Sequence, residues 1–459
     1  MAGNKEKPGA EESLPLPSAA PAETERNTSS GTRVLLLTDS FPPHAGGSRE
    51  YYYNIYKELV ALGDSEVTIL TKKVPGWEEF DRTANSAKFR IIRRFKPLAN
   101  LKLKELPMGI FPFLQALWQI ARKKPEVIHA GDLYPQGLTA LFAKKVFGIP
   151  YLAYCHGEEV TQMDRYRYQP RVRDLIYRSA DAVVANSDFA CGLLSRIGVA
   201  QEKIHKINPG VDAKRFKPTA RSDELCRRFR LEGKTVILTV ARLVPRKGHR
   251  AALGAFSRIC EELSNAHYLI VGAGPEEDRL KQLVREKGLE DRVTFAGYVP
   301  SERLPEFYGI CDLMLLANRE EADGDVEGFG IVFLEANAAG KPVLGGRTGG
   351  AVEAVQDGVT GMLVDPDNEM QLAAALRRLL SNAELRERLG RAGLQRARSE
   401  FDWRSKALAL CTVNHQILGT GNSVAGAPSN SLMSDNPGRP GASPHLEGQC
   451  AETGNHKSY

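Results

Sequence analysis

An α/β protein with two doubly wound, Rossmann-like parallel-sheet domains facing a cleft is the fold class this sequence predicts. Three observations predict it. Continuous apolar runs of strand length alternate with stretches of helical period through most of the chain, and unbroken apolar strands belong to parallel sheets covered on both faces. The alternation stops once, at KINPGVDAKRFKP (206–218), and then starts again. A chain of 459 residues, at roughly 100–200 per domain, has room for two such domains and flanking tails.

In chain order, RVLLLTD (33–39) is a strand, EYYYNIYKELVALG (50–63) a helix closed by glycine, and EVTILT (66–71) a second strand. PEVIHAGD (125–132), PYLAYCHG (150–157) and ADAVVANS (180–187) complete a first domain over 32–205. Residues 206–218, with Pro-Gly and little periodicity, read as a linker. KTVILTVAR (234–242), HYLIVGAG (267–274), RVTFAGYV (292–299), DLMLLAN (312–318) and KPVLGG (341–346) build a second domain over 219–399. Residues 1–31 and 418–459 are rich in Pro, Gly, Ser and other small or polar residues. They bury too little apolar surface to offset chain entropy, so disordered tails are expected.

Composition narrows the function classes. A net charge of +6 is too mild to argue for a nucleic-acid partner. Seven scattered cysteines with no C-x-x-C pair argue against a zinc site or a disulfide framework and point to a reducing cytoplasm. The opening MAGNKEKPGAEE has no apolar run, so no secretory leader is expected. No stretch reaches the ~18 uninterrupted apolar residues of a membrane span.

Ligands of open parallel sheets sit beyond the carboxyl ends of the strands, and the chemistry-bearing residues cluster there. After the first strand, Gly46 and Gly47 open a helix; glycines let backbone N–H groups approach a ligand, and a helix N-terminus favours an anion. Tight turns explain the same glycines equally well. His156 and Glu158 follow the PYLAYC strand, where the histidine either bonds a substrate hydroxyl or is simply a structural loop residue. In VARLVPRKG, Arg242 and Lys247 suit a phosphate pair, since arginine offers a planar fork and lysine a point charge. A solvated basic loop is the alternative.

The segment GDVEGFGIVFLEANAAGKP (324–342) carries Glu327 and Glu335 around the start of a helix. The turn is Gly328, Phe329 and Gly330, and the helix begins near Ile331. Helix-dipole compensation accounts for one acid near an N-terminus at about 0.3–1 kcal/mol; it leaves the second acid and the glycines unexplained. Two carboxylates flanking a helix terminus can hold the hydroxyls at opposite ends of a ligand whose phosphates lie over that terminus. Asp323 and Asp325 look like a D-x-D metal motif, but short acids in a loop are usually solvated and no metal is expected. Gly272-Ala273-Gly274 lacks the third glycine of a dinucleotide fingerprint and reads as a turn.

With FPPHAGG, CHGEE, NPGVDAKRFKP, VARLVPRKG, EGFGIVFLE, GGAVEAV and GVTGMLVDP in this order over about residues 33–415, the chain resembles the retaining glycosyltransferases of family 4, with the GT-B fold. GDVEGFGIVFLEANAAGKPV is most similar to the mannosyltransferases that build phosphatidylinositol mannosides from GDP-mannose. The resemblance implies a hexosyltransferase with a nucleotide-sugar donor, GDP-mannose favoured over a UDP-sugar, and a glycan or lipid-linked acceptor. It implies Glu327 on the donor hexose, Glu335 on the ribose, Arg242 and Lys247 on the diphosphate, and Gly46 and Gly47 lining the same site. His156 would lie near the sugar 6-hydroxyl, with Glu158 close by. A C-terminal helix, at about 400–417, would cross back to the first domain. No cofactor and no essential metal are implied. A sugar epimerase, a phosphorylase and a non-catalytic nucleotide-sugar binding protein are the rival readings.

Charge distribution adds one expectation. Lys88, Arg90, Arg93, Arg94, Lys96, Lys102, Lys104, Arg122, Lys123 and Lys124 surround the apolar run IFPFLQALW, with Glu105 the acid among them. Such a stripe fits a peripheral contact with an anionic membrane surface; a core helix with a solvated basic face is the alternative.

Overall fold

The computed structural model describes residues 31–44, 46–94, 110–162 and 169–420. Its first half contains β1 (Thr32–Leu37), β2 (Ser65–Thr71), β3 (Phe89–Arg93), β4 (Val127–Ala130), β5 (Tyr151–Cys155), β6 (Ala182–Ala185) and β7 (Ile204–Lys206). They form one sheet in the order β3-β2-β1-β4-β5-β6-β7. Every pairing is parallel, with Val34 opposite Val67 on one side and Val127 on the other. The second half contains β8 (Thr235–Val240), β9 (Ala266–Val271), β10 (Val293–Gly297), β11 (Leu313–Leu316), β12 (Val343–Gly346) and β13 (Gly361–Val364), ordered β10-β9-β8-β11-β12-β13 and again parallel. In each sheet the winding reverses beside the first strand, between β1 and β4 and between β8 and β11, which creates a crevice at the strand ends.

Helices cover both faces of each sheet. Gly47–Ala61 lays Tyr51, Tyr52, Ile55, Tyr56 and Leu59 on the first sheet, the spacing of one helical face. In the second domain Leu304–Ile310 and Ile331–Ala338 pack on one face, while His249–Ser257 and Glu369–Ser381 pack on the other. Three strands escape the sequence reading: β3, β7 and β13. All are short and lie at sheet edges; charged or half-exposed positions dilute the apolar signal of β3 and β7, and β13 is only four residues long.

Trp403–Leu418 is a helix capped by Asp402, whose Oδ2 accepts from the Ser405 N–H at 3.1 Å. It lies on the first domain: the Trp403 ring meets Tyr51 edge-on at 5.7 Å, and His129 Nε2–H donates to Asn414 Oδ1 at 2.8 Å. The linker is pinned by the start of this helix, since Val211 N–H donates to the Phe401 carbonyl at 2.7 Å. The tails expected at 1–31 and 418–459 fall almost wholly outside the described residues.

The basic stripe needs correcting. Phe89, Ile91 and Arg93 alternate inward along β3, so Arg93 is only 5% exposed, and its guanidinium bonds Asp81 and the Pro42 carbonyl. Arg94 is ion-paired with Asp39. Neither belongs to a solvated basic surface; Lys96, Lys102 and Lys104 lie outside the described residues. The apolar run forms part of the helix Ile110–Lys123. Ala116 and Ile120 enter the core, while Leu114 and Trp118 stay 55% and 57% exposed. No helix among the described residues is long and apolar enough to cross a membrane.

Candidate active site

The strand ends of the two sheets face one another across a cavity of about 530 Å³. Every residue that the sequence assigns to the donor site lines it. Gly46, Gly47 and His156 come from the first domain; Arg242, Lys247, Glu327, Gly328, Phe329, Gly330, Ile331 and Glu335 come from the second. The domains touch closely along part of the rim: a Cβ on Gly328 would stand 2.4 Å from the His156 carbonyl oxygen.

Gly330 makes the turn into the Ile331–Ala338 helix with φ of 88°, a conformation that glycine adopts freely and other residues resist. Among the described residues no side chain caps this terminus. The backbone N–H groups of its first residues, among them Ile331 and Val332, have no partner within the helix, and both residues line the cavity. Helix dipole and free donors make this a place for an anion. Arg242 lies nearby on the loop after β8.

Glu327 is 7% exposed and sits in a cationic nest. Lys247 Nζ is ion-paired with its Oε2, and Arg246 Nη1 reaches the same oxygen at 3.3 Å. Burial alone would push this carboxyl up, but Lys247 and Arg246 together hold it below the ordinary glutamate value. It is an ionised acceptor, suited to sugar hydroxyls. Glu335, one turn into the helix and 8% exposed, has the opposite environment. Tyr308 Oη–H donates to it at 2.7 Å, and among the described residues no Lys or Arg is ion-paired with it. Burial pushes its carboxyl up to about 7, and the Glu50 carboxylate adds to the rise. A ligand hydroxyl pair would supply the donors this buried acid lacks.

His156 is kept neutral by burial, which lowers its basicity. Tyr52 has one hydroxyl hydrogen, and the Gly131 carbonyl takes it. His156 Nε2–H therefore donates to Tyr52 Oη at 2.8 Å, and Nδ1 is left as an acceptor. The two acids after His156 divide: Glu158 lines the cavity, while Glu159 accepts the His156 backbone N–H at 3.0 Å. Burial and the neighbouring Glu158 push Glu159 up to about 8.

Several site residues escaped the sequence reading. Arg246 is buried against Glu327, and its signal was adjacency to Lys247 in PRKG. Arg49, in the first turn of the Gly47–Ala61 helix, lines the cavity from the first domain. Burial and then the Arg242 guanidinium opposite hold it below the ordinary arginine value. Two like charges facing each other across a cleft mark a position for an anion. Glu50 bridges the domains, accepting from Ser301 Oγ at 3.2 Å. Nothing in the sequence identifies either Arg49 or Glu50, because the facing partner belongs to the other domain.

Asp325 is not a solvated loop acid. Its Oδ1 accepts from Gln162 Nε2 at 2.9 Å and pairs with Arg246 Nε at 3.2 Å. Among the described residues no group of three or more His, Cys, Asp or Glu side chains could hold a metal ion.

Comparison with known proteins gives a consistent picture. Residues 45–215 match the family described as Glycosyltransferase Family 4, and residues 223–396 match Glycosyl transferases group 1. The chain is 32% identical over 390 residues to the GDP-mannose-dependent alpha-(1-6)-phosphatidylinositol monomannoside mannosyltransferase of Mycobacterium tuberculosis, covering 83% of this chain and 97% of that one. Among solved structures it superposes on sucrose-phosphate synthase from Thermosynechococcus elongatus, with a TM-score of 0.70, 25% identity, and coverage of 85% of this chain and 100% of that chain. It also superposes on Anabaena HepE in complex with UDP and glucose, with a TM-score of 0.68, 23% identity, and coverage of 84% and 98%.

Proposed function

The chain belongs to the glycosyltransferases of family 4 and group 1, and from that premise we propose that it moves mannose from GDP-mannose to a hydroxyl of a glycan or lipid-linked acceptor, with retention at the anomeric carbon. The donor reading draws on the relative from Mycobacterium tuberculosis, whose name specifies GDP-mannose. One observation carries the orientation of the donor: a helix N-terminus flanked by cations, with a buried carboxylate on either side of it. In this reading the diphosphate lies over Ile331 and Val332 against Arg242 and Lys247, with Gly46, Gly47 and Arg49 facing it from the first domain. Glu327 takes hydroxyls of the hexose, Glu335 takes those of the ribose, and His156 Nδ1 accepts from the sugar.

The chemistry follows from charge. As the anomeric bond breaks, negative charge grows on the diphosphate and the sugar becomes oxocarbenium-like. Cations and helix donors already in position stabilise the leaving group without reorganising, commonly the largest catalytic contribution. The acceptor attacks from the face the diphosphate leaves, and its proton passes to a phosphate oxygen. These side chains fill the role a divalent metal would have, so transfer is metal-independent.

The acceptor is lipid-linked in this proposal, and the first domain docks on an anionic surface. With Arg93 buried and Arg94 ion-paired to Asp39, support comes from another place. Exposed Leu114 and Trp118 lie on one helix, and Phe142, Val146 and Phe147 on its neighbour Leu138–Phe147, with Arg122, Lys123 and Lys145 on the same helices. Co-sedimentation with anionic vesicles is expected to weaken with salt and with Trp118→Glu. Equal recovery on neutral vesicles would remove the docking idea and favour a soluble acceptor.

A donor screen tests the function. GDP-mannose is expected to raise the melting temperature more than UDP-glucose does, since binding to the folded state alone stabilises it. GDP release is expected to require acceptor and to yield an α-linked product by NMR. Turnover that needs free phosphate would indicate a phosphorylase, conversion of the sugar without acceptor an epimerase, and binding without any turnover a non-catalytic protein.

A further inference from the structure

We propose that Asp325 is a positioning residue that makes the placement of Arg246 and Glu327 depend on closure of the two domains. The inference rests on the donor-site reading above. Its basis is a continuous polar chain across the domain boundary. Gln162 Nε2, from the first domain, donates to Asp325 Oδ1 at 2.9 Å. The same oxygen meets Arg246 Nε at 3.2 Å. Arg246 Nη1 in turn reaches the Val326 carbonyl at 3.4 Å and Glu327 Oε2 at 3.3 Å, and Lys247 completes the chain on that oxygen.

The seam around this chain is at contact. A Cβ on Gly324 would stand 2.9 Å from the Thr161 carbonyl oxygen, and one on Gly328 would stand 2.4 Å from that of His156. Residues 156–162 and 324–328 therefore meet backbone to backbone. Asp325 is itself held within its loop, its N–H donating to Asp323 Oδ1 at 2.9 Å. This gives the Asp-Gly-Asp sequence a role that needs neither metal nor solvent.

Opening the seam would remove the Gln162 donor and admit water to the Asp325–Arg246 pair. Charge attraction falls steeply as the surroundings become aqueous, so Arg246 would lose the restraint that aims it at Glu327. Cations and carboxylate are then correctly set only when water is also excluded. The expected consequence is chemical: a protein with the latch broken should spend more donor on water and less on acceptor.

Two substitutions in the full-length protein separate the parts. Gln162→Ala removes the cross-domain donor. Asp325→Asn keeps an oxygen for Gln162 but removes the charge on Arg246. Both are expected to lower transfer kcat by about tenfold with a smaller change in donor KM, and Gln162→Ala to raise the ratio of acceptor-free hydrolysis to transfer several-fold. Because they act on one chain, the double variant is expected to lose no more than the worse single one. Domain closure is read independently by a fluorescence pair across the cleft, with GDP as the probe. Gln162→Ala should close less at saturating GDP, and Asp325→Asn should close as wild type does. Unchanged closure and an unchanged hydrolysis ratio in Gln162→Ala, or losses that multiply in the double variant, would overturn the proposal. If the wild type binds GDP but transfers no sugar, the function proposed above fails while the closure measurement still decides the latch.

Discussion

At the scale of residues, two buried glutamates behave oppositely. Glu327 is ionised by its cations; Glu335 is pushed up to about 7 by burial and the nearby Glu50 carboxylate, against a hydrogen bond from Tyr308. Its folded-state value lies above the ordinary 4.5, so the cost of holding it charged is absent below pH 4.5, grows through pH 7 and is full above it. Glu335→Gln is therefore expected to stabilise the empty protein at pH 8 by about 1–3 kcal/mol and to leave stability at pH 4.5 nearly unchanged, as melting curves at the two pH values would reveal. Ribose hydroxyls need the carboxylate, so wild-type donor affinity should fall as pH drops below 7, a dependence the glutamine variant should lack. For the cations, Arg242→Ala and Lys247→Ala are each expected to cost about 2–4 kcal/mol in transition-state stabilisation, read from kcat/KM. Arg49→Ala should cost about 1–3 kcal/mol on the same measure. Near wild-type turnover in these variants would remove the diphosphate assignment.

At the scale of elements, the turn into the Ile331–Ala338 helix carries the site. A Cβ on Gly330 would meet the Phe333 ring at 2.7 Å, on a backbone with φ of 88°. Gly330→Ala is expected to destabilise the second domain by about 1–3 kcal/mol and to weaken donor binding by turning the free N–H groups, checked by melting and calorimetry together. Loss of stability with unchanged donor affinity would mean the terminus does not hold phosphate. This turn was legible from the sequence because glycines, strand and helix are contiguous. Edge strand β3 was not legible, and with it went the burial of Arg93. A charge at an inward position of an unrecognised strand looks like a surface charge; only Asp81 and the Pro42 carbonyl facing it reveal otherwise.

At the scale of the whole molecule, the C-terminal helix completes the first domain's core. Trp403, Ala407, Leu410 and Val413 join the cluster that holds Val34, Tyr51 and Ile55. Trp403 is buried, so Trp403→Ala is expected to cost about 3–5 kcal/mol, seen as a lower denaturant midpoint. A loss below ~1 kcal/mol would mean that this helix is only loosely seated. The domains also meet through Glu353 of the second, which accepts from the Asp188 N–H of the first and, at the start of the linker, from Lys206 Nζ at 3.3 Å and Asn208 Nδ2 at 3.2 Å. Transfer is expected to persist in excess chelator; loss restored by manganese or magnesium would contradict the metal-free reading.

Local signals made the α/β class, the two-domain division, the strand-end loops and the paired glutamates readable from the sequence alone, because period, glycine position and residue spacing depend on neighbours along the chain. Tertiary structure decided which of the charges act together. Arg246 on Glu327, Arg49 opposite Arg242, Glu50 near Glu335 and Gln162 on Asp325 each join residues far apart in sequence. Electrostatic environment depends on distance and burial in space, and neither quantity exists until the two sheets stand face to face.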